Sequence, residues 1–179
     1  MGHADAWEVN SRAARVRLMI FDVDGILTDG SLHFSADGET LKRFNVLDGH
    51  GIKLLQQAGI VTAIISARAS AIVTRRAADL GIVHVVQGAH DKRAAFEALC
   101  AQTGIAAPAC GFIGDDWMDL PVLTRVGFAV SVPGGHAEVR ARVHYVTTAA
   151  GGAGAAREVC DLILKAQDKY EAALASTLA

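Results

Sequence analysis

The 179-residue sequence lacks any apolar stretch approaching the roughly 20 residues of a membrane-crossing helix, so no transmembrane span is expected. It has no polybasic run, and its formal net charge is only −2, which argues against nucleic acid as the main partner. Cysteine is scarce. Cys100, Cys110 and Cys160 are odd in number and far apart, which fits neither a zinc site nor a disulfide framework and leaves buried reduced thiols as the simplest reading. The stretch 1–17 mixes charges of both signs without an apolar core, so export is not expected and a reducing cytoplasm is the default. Internal repeats, low-complexity tracts and long linkers are absent too, which predicts one domain over 1–179. What the chain does have is 51% hydrophobic and 20% charged residues, enough apolar matter for a proper core.

Short β-rich runs alternate with helical stretches. Val16–Phe21, Gly59–Ile65, Val83–Val86, Cys110–Ile113, Phe128–Val132 and Val143–Val146 read as strands. Gly51–Ala58, Ala69–Leu80, Lys92–Thr103 and Leu120–Val126 carry apolar residues at helical spacing, and Gly81 and Gly104 read as helix stops. Such alternation predicts an α/β fold with a doubly wound parallel sheet. Two segments break the rhythm. Residues 26–45 hold Leu32, Phe34, Leu41 and Phe44 around Asp37-Gly38, the pattern of a small β-hairpin insertion. Residues 149–179 hold a Gly-rich joint, Gly151-Gly152-Ala153-Gly154, and then a long helical stretch from Ala155. The joint reads either as a plain connector or as backbone that approaches a ligand or another subunit.

Chemistry-bearing residues fall at or just beyond four of the predicted strands. Asp22 and Asp24 follow the first, Ser66 follows Ile64-Ile65, Lys92 opens a helix after Gly88, and Asp115-Asp116 follow Gly114 with Asp119 one turn on. In a parallel sheet these ends open on one edge, where ligands bind. Two carboxylates two residues apart at the end of a buried strand repel each other unless a cation or a catalytic task holds them. Asp22, Asp24 and Asp115 are hard oxygen donors suited to Mg²⁺, and Ser66 and Lys92 can hydrogen-bond phosphate. A carboxylate can also attack phosphorus as a nucleophile, and a second one on the same strand face can protonate the leaving oxygen.

This ordered set resembles the haloacid dehalogenase (HAD) superfamily of phosphohydrolases, over nearly the whole chain. Asp22-Val23-Asp24-Gly25 is similar to its first motif, Ser66 to its second, Lys92 to its third, and Gly114-Asp115-Asp116-Trp117-Met118-Asp119 to its fourth. The resemblance implies that Asp22 is the nucleophile and that Asp24 is general acid and later general base. It implies Mg²⁺ as cofactor, held by the Asp22 carboxylate, the Asp24 backbone carbonyl and the Asp115 carboxylate. Asp119 would support the metal from behind, and Asp116 would order the loop. Three stretches, Asp24–Gly30, Phe44–Lys53 and Gly151–Cys160, resemble more narrowly a group within the superfamily that acts on phosphorylated sugar acids. That group implies a homotetramer releasing phosphate from an eight-carbon sugar acid on the way to lipopolysaccharide, with Arg68, Arg76 and Arg157 as substrate-binding residues. Ser66-Ala67-Arg68 departs from the group in having alanine where many relatives have glycine.

Neither Gly25–Gly59 nor Gly81–Gly111 has room for the folded cap domain that many HAD enzymes carry. The crevice of a lone subunit is then open to water, and neighbouring copies are the expected suppliers of closure. The hairpin is expected to build the oligomer and Gly151–Arg157 to reach a neighbour's site. Plainer readings stand beside these. Ser66 can cap the helix Ala69–Leu80, and Asp91 can cap the helix of Lys92. Arg68 and Arg76 can be surface arginines, and Arg157 can pair locally with Glu158 or Asp161. His50 and His136 read as loop residues, Trp117 as packing, and Asp48 and Lys53 as entrance or capping residues. A phospho-accepting receiver is excluded by order, because its adjacent acidic pair comes early whereas Asp115-Asp116 comes late. A phosphatase for a nine-carbon nonulosonate 9-phosphate and an inactive HAD assembly module remain as rivals.

Overall fold

The computed structural model describes residues 5–178. Its strands are β1 (Leu18–Phe21), β2 (His33–Ser35), β3 (Gly38–Leu41), β4 (Val61–Ile65), β5 (His84–Val86), β6 (Cys110–Ile113), β7 (Phe128–Ser131) and β8 (Tyr145–Val146). Its helices are α1 (Ala6–Ala13), α2 (Val46–Gln57), α3 (Ala71–Leu80), α4 (Lys92–Thr103), α5 (Leu120–Leu123), α6 (Ala137–Arg140), α7 (Ala155–Ala166) and α8 (Tyr170–Leu178). Six strands form one sheet in the order β5-β4-β1-β6-β7-β8, every neighbouring pair parallel. This is the doubly wound α/β architecture expected. No cap domain is present among the described residues.

Period-two alternation on a strand buried on both faces explains the two-sided core. Met19 and Phe21 enter the layer made with α1, α2, α3 and α7, while Leu18 and Ile20 enter the layer made with α4, α5 and α6. All four side chains are fully buried. The chain order reverses across β1 and β6: β4 and β5 extend the sheet one way, β7 and β8 the other. A crevice opens at such a reversal, beyond the carboxyl ends of the strands.

The helix α2 begins five residues before the expected Gly51 and is capped by Asn45, whose Oδ1 accepts from the Leu47 N–H at 2.7 Å. Its early turns contain Gly49 and Gly51, which depress helix propensity but allow close packing. A Cβ at Gly51 would sit 2.9 Å from Arg157 Cδ and 3.1 Å from Cys160 Cβ of α7. The same apposition caps α7. Asp48 lies in α2 and its Oδ1 accepts from the Arg157 N–H at 2.8 Å, so it serves as a capping residue rather than an entrance residue. The terminal helical stretch is two helices rather than one, broken at Asp168, whose φ is +55°. The helix α1 is an addition to the expected elements; Asp5 caps it by accepting from the Glu8 N–H at 2.7 Å. Strands β2 and β3 form the expected hairpin, a separate two-stranded sheet turning before Gly38. Its Leu32, Phe34 and Leu41 are 44%, 60% and 54% exposed, so its apolar side chains have little to pack on within one chain.

Candidate active site

Asp22 leaves β1 still tied to the sheet, its N–H donating to the Ile113 carbonyl at 3.1 Å. The chain then turns on itself, the N–H groups of Ile26, Leu27 and Thr28 all donating to the Val23 carbonyl. Gly25 makes this possible: its φ is +85°, and a Cβ there would collide with the Asp115 carboxylate. The loops after β1 and β6 therefore touch only because this residue has no side chain. The Gly-rich joint backs the same turn. Gly152 N–H donates to the Ile26 carbonyl at 2.8 Å, and a Cβ at Gly151 would strike the Gly25 carbonyl.

Helix α4 delivers Lys92. Asp91 caps its first turn, in line with the plainer reading: Asp91 Oδ1 accepts from the Ala94 N–H at 3.0 Å. Lys92 Nζ lies 3.0 Å from Asp22 Oδ2 and 2.6 Å from Asp119 Oδ1, and it sits over the Phe112 ring. The other Asp119 oxygen accepts from the N–H groups of Asp115 and Asp116 at 2.9 and 3.1 Å. Asp116 caps the short 3₁₀ turn Trp117–Asp119 in return. Both Asp119 oxygens are thus engaged in holding Lys92 and the β6 loop.

Electrostatics mark this cluster as short of positive charge. Oxygens of Asp22, Asp115 and Asp119 all lie within 4.8 Å of one another, and among the described residues Lys92 is the one cation paired with them. Burial, then the Asp119 charge, pushes the Asp22 carboxyl up to about 7 in spite of Lys92. Burial and the charges of Asp119 and Asp116 push Asp115 to about 7 as well. Lys92 responds in the opposite sense: burial works against its ammonium, but Asp22 and Asp119 outweigh burial and hold it charged. A small, hard dication would relieve the carboxylates, and an all-oxygen donor set fits Mg²⁺.

The cavity over this cluster has a volume of about 270 Å³ and is lined by Asp22, Asp24, Ser66, Arg68, Lys92, Asp115, Asp116 and Asp119 among others. Eight of the ten expected site residues therefore converge. Ser66 is buried and its Oγ accepts, at 3.4 Å, from the Arg68 N–H; it does not cap α3, whose N-cap is Ser70, four residues on. Ala67 lines the same cavity. The other two lie elsewhere in this chain. Arg76 sits over the Phe44 ring and donates to the Asn45 carbonyl at 3.5 Å, and Arg157 pairs with Asp161 at 2.8 Å, as its local reading expects.

His50 is in α2 rather than in a loop, and His136 caps α6 while accepting from Trp117 Nε1 at 2.9 Å. Trp117 is 60% exposed, so packing does not account for it. Sequence reasoning missed Lys42 and Glu39 on the hairpin. Lys42 is buried, its Nζ 2.5 Å from Asp24 Oδ1 and 2.9 Å from Glu39 Oε1. Glu39 also accepts from the Ser70 hydroxyl at 2.6 Å and pairs with Arg68 at 3.4 Å. Two charges on a short hairpin read as a solvated edge, and nothing in the spacing tells otherwise.

Comparison with known proteins agrees with the motifs. Residues 52–159 match the model of the haloacid dehalogenase-like hydrolase family. The 3-deoxy-D-manno-octulosonate 8-phosphate phosphatase of Yersinia pestis is 46% identical over 93% of this chain and 89% of its own. That of Escherichia coli K12 is 45% identical over 93% and 88%. The Moraxella catarrhalis enzyme, solved with a magnesium ion, a phosphate ion and KDO, superposes with a TM-score of 0.94 at 46% identity, covering 97% of this chain and 99% of that one. The chain belongs to the haloacid dehalogenase-like hydrolase family.

Proposed function

We propose that the chain is a Mg²⁺-dependent phosphomonoester hydrolase that releases inorganic phosphate from 3-deoxy-D-manno-octulosonate 8-phosphate, a step in lipopolysaccharide precursor synthesis. The observation that carries this reading is Lys92 bridging Asp22 and Asp119 beside Asp115, at the edge where the sheet reverses. In this mechanism an Asp22 oxygen attacks phosphorus, and the bond from phosphorus to the sugar oxygen breaks as an aspartyl-phosphate forms. Asp24 gives the departing oxygen its proton, then takes one from the water that attacks the aspartyl-phosphate and frees Asp22. Lys92 and Ser66 hold phosphate oxygens, and Lys92 also offsets the repulsion between two anions. Mg²⁺, held by the carboxylates of Asp22 and Asp115 and the Asp24 backbone carbonyl, would add positive charge against the same oxygens. Asp119 and Asp116 keep the β6 loop and Lys92 in position.

Arg68 is read as the partner of the sugar carboxylate. Arg76 is read as a further substrate-binding residue, and Arg157 as reaching a neighbour's substrate, within a homotetramer built on the exposed hairpin. Leu32, Phe34 and Leu41 on that hairpin support assembly. The whole chain is read as one catalytic domain, working in the cytoplasm. Among the described residues no helix is long and apolar enough to cross a membrane.

Phosphate release from a panel of sugar-acid phosphates, with Mg²⁺ and with chelator, tests the reading. The eight-carbon 8-phosphate should be turned over fastest and only with metal. Equal or faster turnover of a nonulosonate 9-phosphate would remove the substrate name. Hydrolysis of no phosphosugar at all would leave an inactive assembly module.

A further inference from the structure

The side chain of Asp24 does not share the ion-pair set of Asp22. It belongs to a second ring, in which Asp24 Oδ1 meets Lys42 Nζ at 2.5 Å, Lys42 meets Glu39 Oε1 at 2.9 Å, Glu39 meets Arg68 Nη2 at 3.4 Å, and Arg68 Nε returns to Asp24 Oδ2 at 3.5 Å. Two carboxylates alternate with two cations. The members differ sharply in exposure: the Lys42 side chain is 1% exposed, Glu39 13%, Asp24 22% and Arg68 42%. Lys42 is the buried member of the ring, and Arg68, with the longest contacts, is its exposed side.

We propose that Lys42 is a positioning residue for Asp24, pinning Oδ1 so that Oδ2 is the oxygen that exchanges a proton with the leaving group. Among the described residues Oδ2 has only the 3.5 Å contact with Arg68. An ammonium held by a second carboxylate has no free rotamer, so the Asp24 rotamer is held as well. A proton-transfer group displaced by an ångström loses much of its effect, whereas a merely structural ion pair would not discriminate between substrates. Lys42 itself touches no reacting atom. The ring also ties β3 to the loop after β4 through Glu39 and Ser70, so the hairpin reaches the chemistry through Lys42. This inference rests on the reading of Asp24 as general acid.

Leaving-group dependence separates the two. A sugar alkoxide needs a proton to leave, and p-nitrophenolate does not. Single turnovers with enzyme in excess, followed by release of the sugar acid or of p-nitrophenol, isolate transfer to Asp22. Asp24→Asn should slow the sugar phosphate by about 100-fold or more and the aryl phosphate by less than about 3-fold. Lys42→Met should show the same pattern at roughly one tenth of the effect, about 10-fold against less than 3-fold, with KM little changed. Lys42→Arg should recover part of the loss. Should Lys42→Met not fold, Lys42→Gln, which keeps a hydrogen-bonding amide, carries the same comparison. Equal losses on both substrates, or none on either, in a folded Lys42 variant would overturn the positioning role while leaving Asp24 intact. The absence of discrimination in Asp24→Asn would overturn the general-acid reading itself.

Discussion

Asp22 and Asp24 are two residues apart and live in different electrostatic worlds. Asp22 is buried, shares Lys92 with Asp119, and sits where negative charge exceeds positive. Asp24 is partly open and sits in a balanced ring with Lys42, Glu39 and Arg68. A continued strand would put both side chains on one face, but β1 ends at Phe21 and the turn through Gly25 lets each meet a separate set of neighbours. The difference separates labour. A carboxylate in a charge-deficient pocket is poised for a cation and a phosphate, whereas one in a neutral ring is held by its orientation.

The largest expected effect falls on the charge-deficient side. Asp22→Asn should lower turnover by on the order of 10⁴-fold or more while the far-ultraviolet circular dichroism stays unchanged. Retained activity would end the assignment of the nucleophile. Lys92→Met leaves Asp22 and Asp119 buried without their cation, and should cost about 3 kcal/mol of stability in chelator, measured by urea unfolding. A loss below about 1 kcal/mol would mean that water already reaches the pair. Next comes Gly25→Ala, which forces an L-residue into a left-handed turn and into the Asp115 carboxylate. It should cost about 1–3 kcal/mol and weaken Mg²⁺ binding by titration calorimetry, with little effect on the hairpin.

Much of the site is legible in the linear order of residues. Asp22, Asp24, Ser66, Lys92 and Asp115 are each at the end of an apolar run or the start of a helix, and parallel strands deliver such ends to one edge. Lys42 and Glu39 are not legible in this way, because their partners lie on other elements: Lys42 is 18 residues from Asp24, and Glu39 is 31 from Ser70. Asp48 is half legible. Its position suits a capping residue, but the helix it caps begins more than a hundred residues later.

A smaller effect distinguishes the two sides by pH. In the metal-free protein Asp22 and Asp115 keep their protons up to about pH 7, whereas the unfolded groups release them near 3.8. The folded state therefore binds more protons in between, and stability should rise by about 2–3 kcal/mol as pH falls from 8 to 6. Mg²⁺ should abolish or reverse this trend, because it binds the ionised carboxylates; thermal melts with and without metal check the sign. A metal-free melting temperature that falls over the same range would show that the cluster is not charge-deficient. The smallest effect is expected from Arg157→Ala. Within one chain it removes a partly exposed i,i+4 pair with Asp161, about 0.5 kcal/mol. A rise in KM beyond that loss would place Arg157 against a neighbour's substrate, and an unchanged KM would confine it to its own helix.

The amino-acid sequence by itself determined the doubly wound sheet, the hairpin in place of a cap, and which acidic and basic groups stand at the sheet's carboxyl edge. These follow from local rules: buried strands read as apolar runs, and turns and caps need particular residues nearby. Only the tertiary structure decided how the charges are shared. It gave Lys92 to Asp22 and Asp119, gave Lys42 to Asp24 and Glu39, and made Asp48 of α2 the cap of α7. Pairing of buried charges depends on distances of a few ångströms across elements remote in sequence, and the Coulomb energy that selects the partner exists only once those elements have excluded water.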